Sequence, residues 1–461
     1  MATLAYTGRA KNAWNTETII GNCHKGDGKA MDFQAVKGTR DFYPDAMRLR
    51  NWITDAWRRV SLRNGFEEYD SPIFEYLDLF TAKSGPEIAQ QLFSFTDRGG
   101  RNLAIRPEIT PALARMVNAK INSLARPIKW FSVPRLCRAE NPQKGRLREF
   151  FQWNIDIIGE DSALADVECV FVAVDALREL GLTVNDVSVR YSSRALTSQV
   201  LLGAGVGAQE IPAALAVLDK RGKVPADAFG EMLAKVIAAP QARQAVLRYL
   251  EMGNPSELTA EKLAAEVGVA PGQAIAEAQE GLKQFTMGLE AFGLGRWCRY
   301  DANVVRGLAY YTGIVYEVYD RAEALRALAG GGRYDNLLEV LGGPRVGGTG
   351  FGMGDVVLGI LLEEKGKLPA DLRNRRLDFF VVDGREGGLE DVLKVVSALR
   401  RAGVSADFSY KAQPLGKQLK EANRRGAAKA AIVKQDTVTV KNLADGAQVD
   451  RPLADFLANP T

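Results

Sequence analysis

The chain has 461 residues, 46% hydrophobic and 25% charged, with a net charge of +4. That is length for about three domains of an ordinary soluble enzyme; the mild basicity permits a nucleic-acid partner without arguing for one, and no apolar run reaches the length of a membrane span. Four scattered cysteines with no CxxC spacing support neither a disulfide framework nor a zinc site, and a single histidine, His24, excludes a histidine general base in the body unless the N-terminal stretch folds inward.

Residues 1–31 are polar and Gly-rich, with no clear period and no hydrophobic signal core. They read as a disordered extension. An organellar transit peptide is the second reading, against which Glu17 and Asp27 count. The cysteine usage points to a reducing cytoplasm. Gln34–Pro44 is an extended entry. A helix is predicted over Asp45–Asn64, where Leu49, Trp52, Ile53, Ala56, Trp57 and Val60 fall at helical spacing. Gly65 stops it. A strand over Phe66–Ser71 runs into Pro72. Leu92–Asp97 and Asn102–Arg106 read as a hairpin turning at Arg98-Gly99-Gly100. Arg106-Pro107-Glu108-Ile109-Thr110-Pro111 opens the next helix, with Thr110 as N-cap and Pro111 at the first position. There Glu108 is explained as a charge near a helix N-terminus.

The most informative stretch is Arg135–Gly159, two strands joined by a basic loop. The loop Asn141–Glu149 holds Lys144, Arg146 and Arg148 beside Gly145, and Arg138 stands at its root. In the second strand Phe151, Trp153, Ile155 and Ile157 point one way, and Gln152, Asn154 and Asp156 the other. An amide and a carboxylate on one face, beside arginines, can grip a zwitterionic small molecule and a phosphate together. An ordinary hairpin with a solvated polar face is the competing reading.

A helix follows over Asp161–Gly181, with Leu164, Val167, Val170, Phe171, Val174, Leu177 and Leu180 apolar, then a strand over Val187–Tyr191. From about Ser193 to Arg296 the sequence turns Ala-rich and helical, punctuated by prolines, as an insertion between strands of one sheet would be. Strand-forming sequence returns at Arg299 and dominates Asn303–Asp320. Gly347–Gly354, GGTGFGMG, precedes an apolar helix. As a dinucleotide fingerprint it is weak, because no βαβ unit precedes it and no acidic ribose ligand follows in place. Residues 367–376 read as a charged linker. Beyond it, alternating βαβαβ predicts a small α/β domain. Lys411, Lys417, Lys420, Arg424, Arg425 and Lys429 gather around one of its helices, a pattern that solvated faces also show.

Arg138, Glu140, Pro142, Gln143, Gly145, Arg146, Arg148, Glu149, Phe150, Gln152 and Asp156 stand in the order of motif 2 of the class II aminoacyl-tRNA synthetases. The chain resembles the histidyl-tRNA synthetases most closely. Arg306, Gly307, Leu308, Tyr310, Tyr311, Thr312 and Gly313 match their RGLxYYTG motif, and Gly330–Leu337 their second histidine-specific motif. The first helix, strand and proline resemble motif 1, and Gly347–Gly354 motif 3. The resemblance runs from Gln34 to the C-terminus. It implies an α+β fold: a class II antiparallel catalytic sheet flanked by helices over 32–192 and 297–366, a helical insertion over 193–296, and an α/β anticodon-binding domain over 377–461.

The resemblance also implies a function. Such an enzyme activates L-histidine with ATP and transfers it to histidine tRNA, as a cytoplasmic homodimer, with Mg2+ arriving on ATP and no structural metal. It places Arg138 and Arg306 at the α-phosphate, and Glu140, Arg146, Gly352 and Gly354 around ATP. Glu108, Thr110 and Gln152 would hold the backbone end of histidine. Asp156, Tyr310 and Tyr311 would receive its imidazole, with Tyr334 lining the same pocket. The insertion would help hold the acceptor arm of the tRNA. Two positions depart from the family: Ala309 replaces the commoner aspartate, and Val357 an arginine that assists the ATP phosphates. Either another cation, Arg333 or Arg345, substitutes for that arginine, or ATP binding is altered. The rival reading is a synthetase-like regulatory subunit of ATP phosphoribosyltransferase. Such paralogues usually lack the C-terminal domain and the tyrosine motif, both present here.

Overall fold

The computed structural model describes residues 33–84, 92–306, 310–370, 372, 377–385 and 387–460. His24 and the N-terminal extension, Gly307, Leu308 and Ala309, and half of the expected linker lie outside these residues. The chain divides into two compact units: residues up to Phe42 with Arg50–Leu368, and Tyr43–Leu49 with Pro369 onward. Among the described residues no helix is long and apolar enough to cross a membrane.

The first unit takes α1 (Pro44–Arg63) from Arg50 onward, followed by β1 (Glu67–Glu68), β2 (Phe74–Tyr76), α2 (Leu77–Ser84), β3 (Ser94–Thr96) and β4 (Asn102–Ile105). It continues through α3 (Thr110–Lys120), β5 (Ile128–Ser132), β6 (Arg135–Cys137), β7 (Glu149–Ile158), α4 (Ala163–Glu179) and β8 (Val187–Ser193). Helices α5 (Arg194–Gly203), α6 (Ile211–Leu218), α7 (Ala226–Val236), α8 (Pro240–Glu251), α9 (Ala260–Val267) and α10 (Gln273–Ala291) follow. Then come β9 (Cys298–Tyr300), β10 (Ile314–Asp320), β11 (Ala329–Arg333), α11 (Leu337–Val340), β12 (Gly348–Gly354) and α12 (Asp355–Glu364).

Its main sheet runs β1-β5-β7-β12-β11-β10-β8-β9, with β6 paired to the start of β7. The interior pairs are antiparallel; β1–β5 and β8–β9 at the two edges are parallel. Strands before and after α5–α10 thus share one sheet, with β8 beside β10. The apolar face of β7 explains how the sheet is held. Trp153 is fully buried, stacks on Trp57 of α1 at 5.9 Å and meets the Phe351 ring edge-on at 5.0 Å. Its indole N–H donates to the Ser61 hydroxyl at 2.9 Å, so this polar atom is paired inside the core.

Three local expectations are corrected. The strand at Phe66–Ser71 shortens to Glu67–Glu68 at the sheet edge. Ile109, not Thr110, caps α3, without a side-chain bond; Thr110 is already helical, with Pro111 behind it. Leu164 is exposed: it is the second residue of α4, in the first turn capped by Ser162, whose hydroxyl accepts from the Leu164 N–H.

A buried ion pair ties β11 to α4. Arg333 Nε lies 2.8 Å from Asp166 Oδ2, and its other nitrogens donate to the carbonyls of Glu160 and Ser162. Both side chains are almost fully enclosed, and burial pushes the Asp166 carboxyl up even against Arg333. Removing one partner leaves the other charge stranded. Asp166→Ala is therefore expected to lose about 3 kcal/mol of unfolding free energy in urea titrations.

The second unit holds β13 (Leu377–Asp383), α13 (Leu389–Arg401), β14 (Ala406–Phe408), α14 (Leu415–Arg424), β15 (Ala427–Val433), β16 (Thr437–Asn442), β17 (Gln448–Pro452) and α15 (Leu453–Ala458). The sheet order is β14-β13-β15-β16-β17, parallel around β13 and antiparallel beyond β15. Alternate residues of β13 enter opposite cores: Phe379 and Val381 pack toward α13 and α15, Phe380 and Val382 toward α14. Of the basic cluster, Arg425 is neutralised by Asp407 at 2.6 Å and Glu421 at 2.8 Å. Lys411, Lys417, Lys420, Arg424 and Lys429 remain exposed.

Candidate active site

The polar face of β7 forms the floor of a cavity of ≈ 490 Å³. The apolar side chains of β7 are committed to the core, so alternation alone turns Gln152, Asn154 and Asp156 toward this space. All thirteen residues singled out above line it: Glu108, Thr110, Arg138, Glu140, Arg146, Gln152, Asp156, Arg306, Tyr310, Tyr311, Tyr334, Gly352 and Gly354.

One end is aromatic and acidic. Tyr334, just past β11, donates its hydroxyl to the Asp156 carboxylate, and both are nearly inaccessible to solvent. The Tyr310 ring lies 4.7 Å from that of Tyr311 and meets Tyr334 edge-on at 5.9 Å. Burial, then Asp156, raises the Tyr334 pKa; burial, then Tyr311 and Glu108, raises that of Tyr310. Both phenols stay protonated at neutral pH. The neighbouring strand must be bare to leave this space: a Cβ on Gly350 would stand 2.5 Å from Asp156 Oδ1.

The other end is cationic. Arg138 leaves β6 with its guanidinium 5.0 Å over the Phe150 ring, and its Nε donates to the Pro107 carbonyl at 3.1 Å. Burial lowers its pKa, and Glu108 and Glu140 oppose that effect. The following loop folds back through reciprocal hydrogen bonds of Gln143 and Arg146, with Gly145 at φ +76° in the turn. Arg146 pairs with Glu140. Of the three loop cations only Arg146 lines the cavity. Lys144 faces Glu364, and Arg148 donates to the carbonyl of Glu140.

Arg306 lies between the two ends. Its backbone has φ +63°, a region that side-chain-bearing residues rarely adopt, and Arg194 holds its carbonyl at 3.1 Å. Its guanidinium pairs with Glu317 of β10 at 2.6 Å. Burial works against the charge, but Tyr311 and Glu317 outweigh it, so the pKa is raised. A Cβ on Gly330 would fall inside the volume of this guanidinium. Gly330→Ala should displace it and lower amino-acid-dependent pyrophosphate exchange by about 100-fold, with an unchanged melting temperature.

Residues that sequence reasoning assigned no role also line the cavity: Asn154, Glu317, Arg326 and the valines Val356 and Val357. Asn154 was already on the correct face by alternation. Nothing in the local pattern marks Glu317 or Arg326. The expected substitutes for the arginine missing at Val357 are corrected. Arg333 is spent on Asp166 and Asp335, and neither it nor Arg345 lines the cavity.

A histidyl-tRNA synthetase family model matches residues 38–354, and an anticodon-binding domain model matches 379–459. The chain belongs to the histidyl-tRNA synthetase family. Within the family it is 42% identical to the histidine–tRNA ligase of Opitutus terrae over 426 residues, covering 91% of this chain and 96% of that protein. It is 38% identical to the chloroplastic/mitochondrial histidine–tRNA ligase of Arabidopsis thaliana, covering 93% and 87%. The fold matches the crystal structure of the Nostoc histidyl-tRNA synthetase with a TM-score of 0.74 at 21% identity, over 94% of this chain and all of that one.

Proposed function

We propose that this chain is a histidine–tRNA ligase that activates histidine with ATP and passes it to the 3′-terminal ribose of histidine tRNA. The observation that carries the reading is the order of charge along one cavity. A buried carboxylate among three tyrosines lies at one end and a group of arginines at the other.

The chemistry needs little beyond that order. A histidine carboxylate is already a nucleophile, so no base is required. Its oxygen attacks the α-phosphorus of ATP, the bond to the β-phosphate oxygen breaks, and pyrophosphate leaves. Two anions must be brought together, so catalysis is mainly positioning and charge neutralisation. Arg138 and Arg306 supply guanidinium forks at the meeting point. Glu108 takes the ammonium, Thr110 and Gln152 orient the backbone end, and Asp156, Tyr310, Tyr311 and Tyr334 take the imidazole. Glu140, Arg146 and the bare strand at Gly352 and Gly354 flank ATP. In the second step the ribose hydroxyl attacks the activated carbonyl and AMP departs. The carboxylate oxygens of Glu140 and Glu317 suit a hard cation such as the magnesium that travels with ATP, which would neutralise the departing pyrophosphate.

We assign tRNA reading to the second unit, supported by its anticodon-binding match and by exposed Lys411, Lys417, Lys420 and Lys429. Residues 193–296 are assigned as the insertion, beside the acceptor arm. Homodimerisation is supported by the exposed apolar side chains Ile73, Phe74, Tyr76 and Phe95, and a cytoplasmic location by cysteine usage. The reading is tested by incubating the protein with total tRNA, ATP and labelled amino acids. Acid-precipitable label is expected with histidine alone. Binding of histidine and ATP without charged tRNA contradicts the reading.

A further inference from the structure

We propose that Arg326 is the residue that grips the β- and γ-phosphates of ATP in this chain, and with them the departing pyrophosphate. The inference rests on reading the cavity as the ATP site. Its ground is the electrostatics of the cationic end. Arg138, Arg146 and Arg326 surround one carboxylate, Glu140, which is paired to Arg146. With Glu108 also acting on Arg138, three guanidiniums face two carboxylates, which leaves a local excess of positive charge.

Arg326 differs from the other cavity arginines. Arg146 has Glu140, Arg306 has Glu317, and Arg138 has the Pro107 carbonyl. Arg326 forms no hydrogen bond or ion pair among the described residues, and its side chain is solvent-exposed while lining the cavity. Its charge is disfavoured first by partial burial and then by Arg146; Glu140 opposes this and Arg138 adds to it, and the net effect lowers its pKa. A cation held beside like charges, with no anion of its own, is placed to receive one.

The loop that carries it is not loose. Asp320 accepts from the backbone N–H groups of Ala324 at 3.1 Å and Leu325 at 2.9 Å, immediately before Arg326. Just after it, the Leu328 N–H donates to Val318 at 2.8 Å, and the Leu328 carbonyl accepts from Gly354 at 3.2 Å. That last bond fixes the loop against the start of α12, where Val356 and Val357 line the cavity without charge. Arg326 thus brings a guanidinium from the β10–β11 loop to the side of the cavity where α12 offers only hydrocarbon. Arg138 is tied to Pro107, next to Glu108 and the amino-acid end, which leaves the Arg146–Arg326 side for the outer phosphates.

The test measures binding first, so that it does not depend on the ligase chemistry. ATP, inorganic pyrophosphate, adenosine and histidine are titrated calorimetrically onto the full-length wild type and onto Arg326→Ala, Arg326→Gln and Arg326→Lys. Loss of a charge-assisted phosphate contact should weaken ATP and pyrophosphate by roughly 30-fold in the alanine and glutamine variants. Lysine should recover part of the loss, and adenosine and histidine should bind as to the wild type. Histidine-dependent exchange should show a raised KM for ATP and an unchanged KM for histidine. ATP and pyrophosphate affinities within twofold of wild type in Arg326→Ala overturn the assignment, as does an equal weakening of histidine. A wild type that binds ATP through Arg326 yet catalyses no exchange would uphold the assignment and remove the ligase reading.

Discussion

Histidine-dependent exchange of pyrophosphate into ATP is expected to fall by about 1,000-fold in Arg138→Ala, with histidine binding retained. Arg138 is already fixed before any substrate arrives. It is stacked on Phe150, tied to the Pro107 carbonyl, and partly desolvated between Glu108 and Glu140. A donor already fixed where charge develops needs no reorganisation during reaction, which is why its loss should be felt in turnover. Arg138→Lys keeps the charge but not the planar fork, and should recover less than a tenth of the lost rate. A variant that lost histidine binding in parallel would show instead that Arg138 shapes the amino-acid pocket through the Pro107–Glu108 backbone.

The second large effect is expected at Asp156. Its carboxylate accepts the Tyr334 hydroxyl under the aromatic rings, and Gly350 keeps the facing strand clear of it. A pocket built around one hydrogen-bonding carboxylate rejects side chains that cannot donate to it by large factors. Asp156→Asn should lower kcat/KM for histidine by about 300-fold, with little change in the KM for ATP. Tyr334→Phe should give a smaller loss of the same kind. An Asp156→Asn enzyme with wild-type histidine kinetics would place the imidazole elsewhere in the cavity.

The parts of this site legible in sequence are those governed by local geometry. Strand alternation put Gln152, Asn154 and Asp156 on one face, and the cavity lies on that face. Helical spacing placed Ile53, Ala56, Trp57 and Val60 in the core. The ordered motifs carried the family. What escaped depends on contacts between distant segments. Arg333 and Arg345 were natural substitutes for a missing cation, yet Arg333 is held by Asp166, 167 residues away in sequence. Arg326 enters the cavity only because β10, β11 and β12 are adjacent, and one bond from Gly354 to Leu328 sets its loop there. Thr110 satisfied the rule for a helix cap, but the helix begins one residue earlier than the proline implied. The last strand and helix, β17 and α15, follow a short polar turn at Asp445–Gly446 that periodicity does not mark.

The most direct test of the central claim is amino-acid-dependent exchange of pyrophosphate into ATP by the wild-type protein, run with each amino acid separately and with Arg306→Ala as the control. Exchange with histidine alone, lost in the variant, is the predicted result. A folded wild type that binds histidine but exchanges no pyrophosphate would contradict it and bring the regulatory-subunit reading forward.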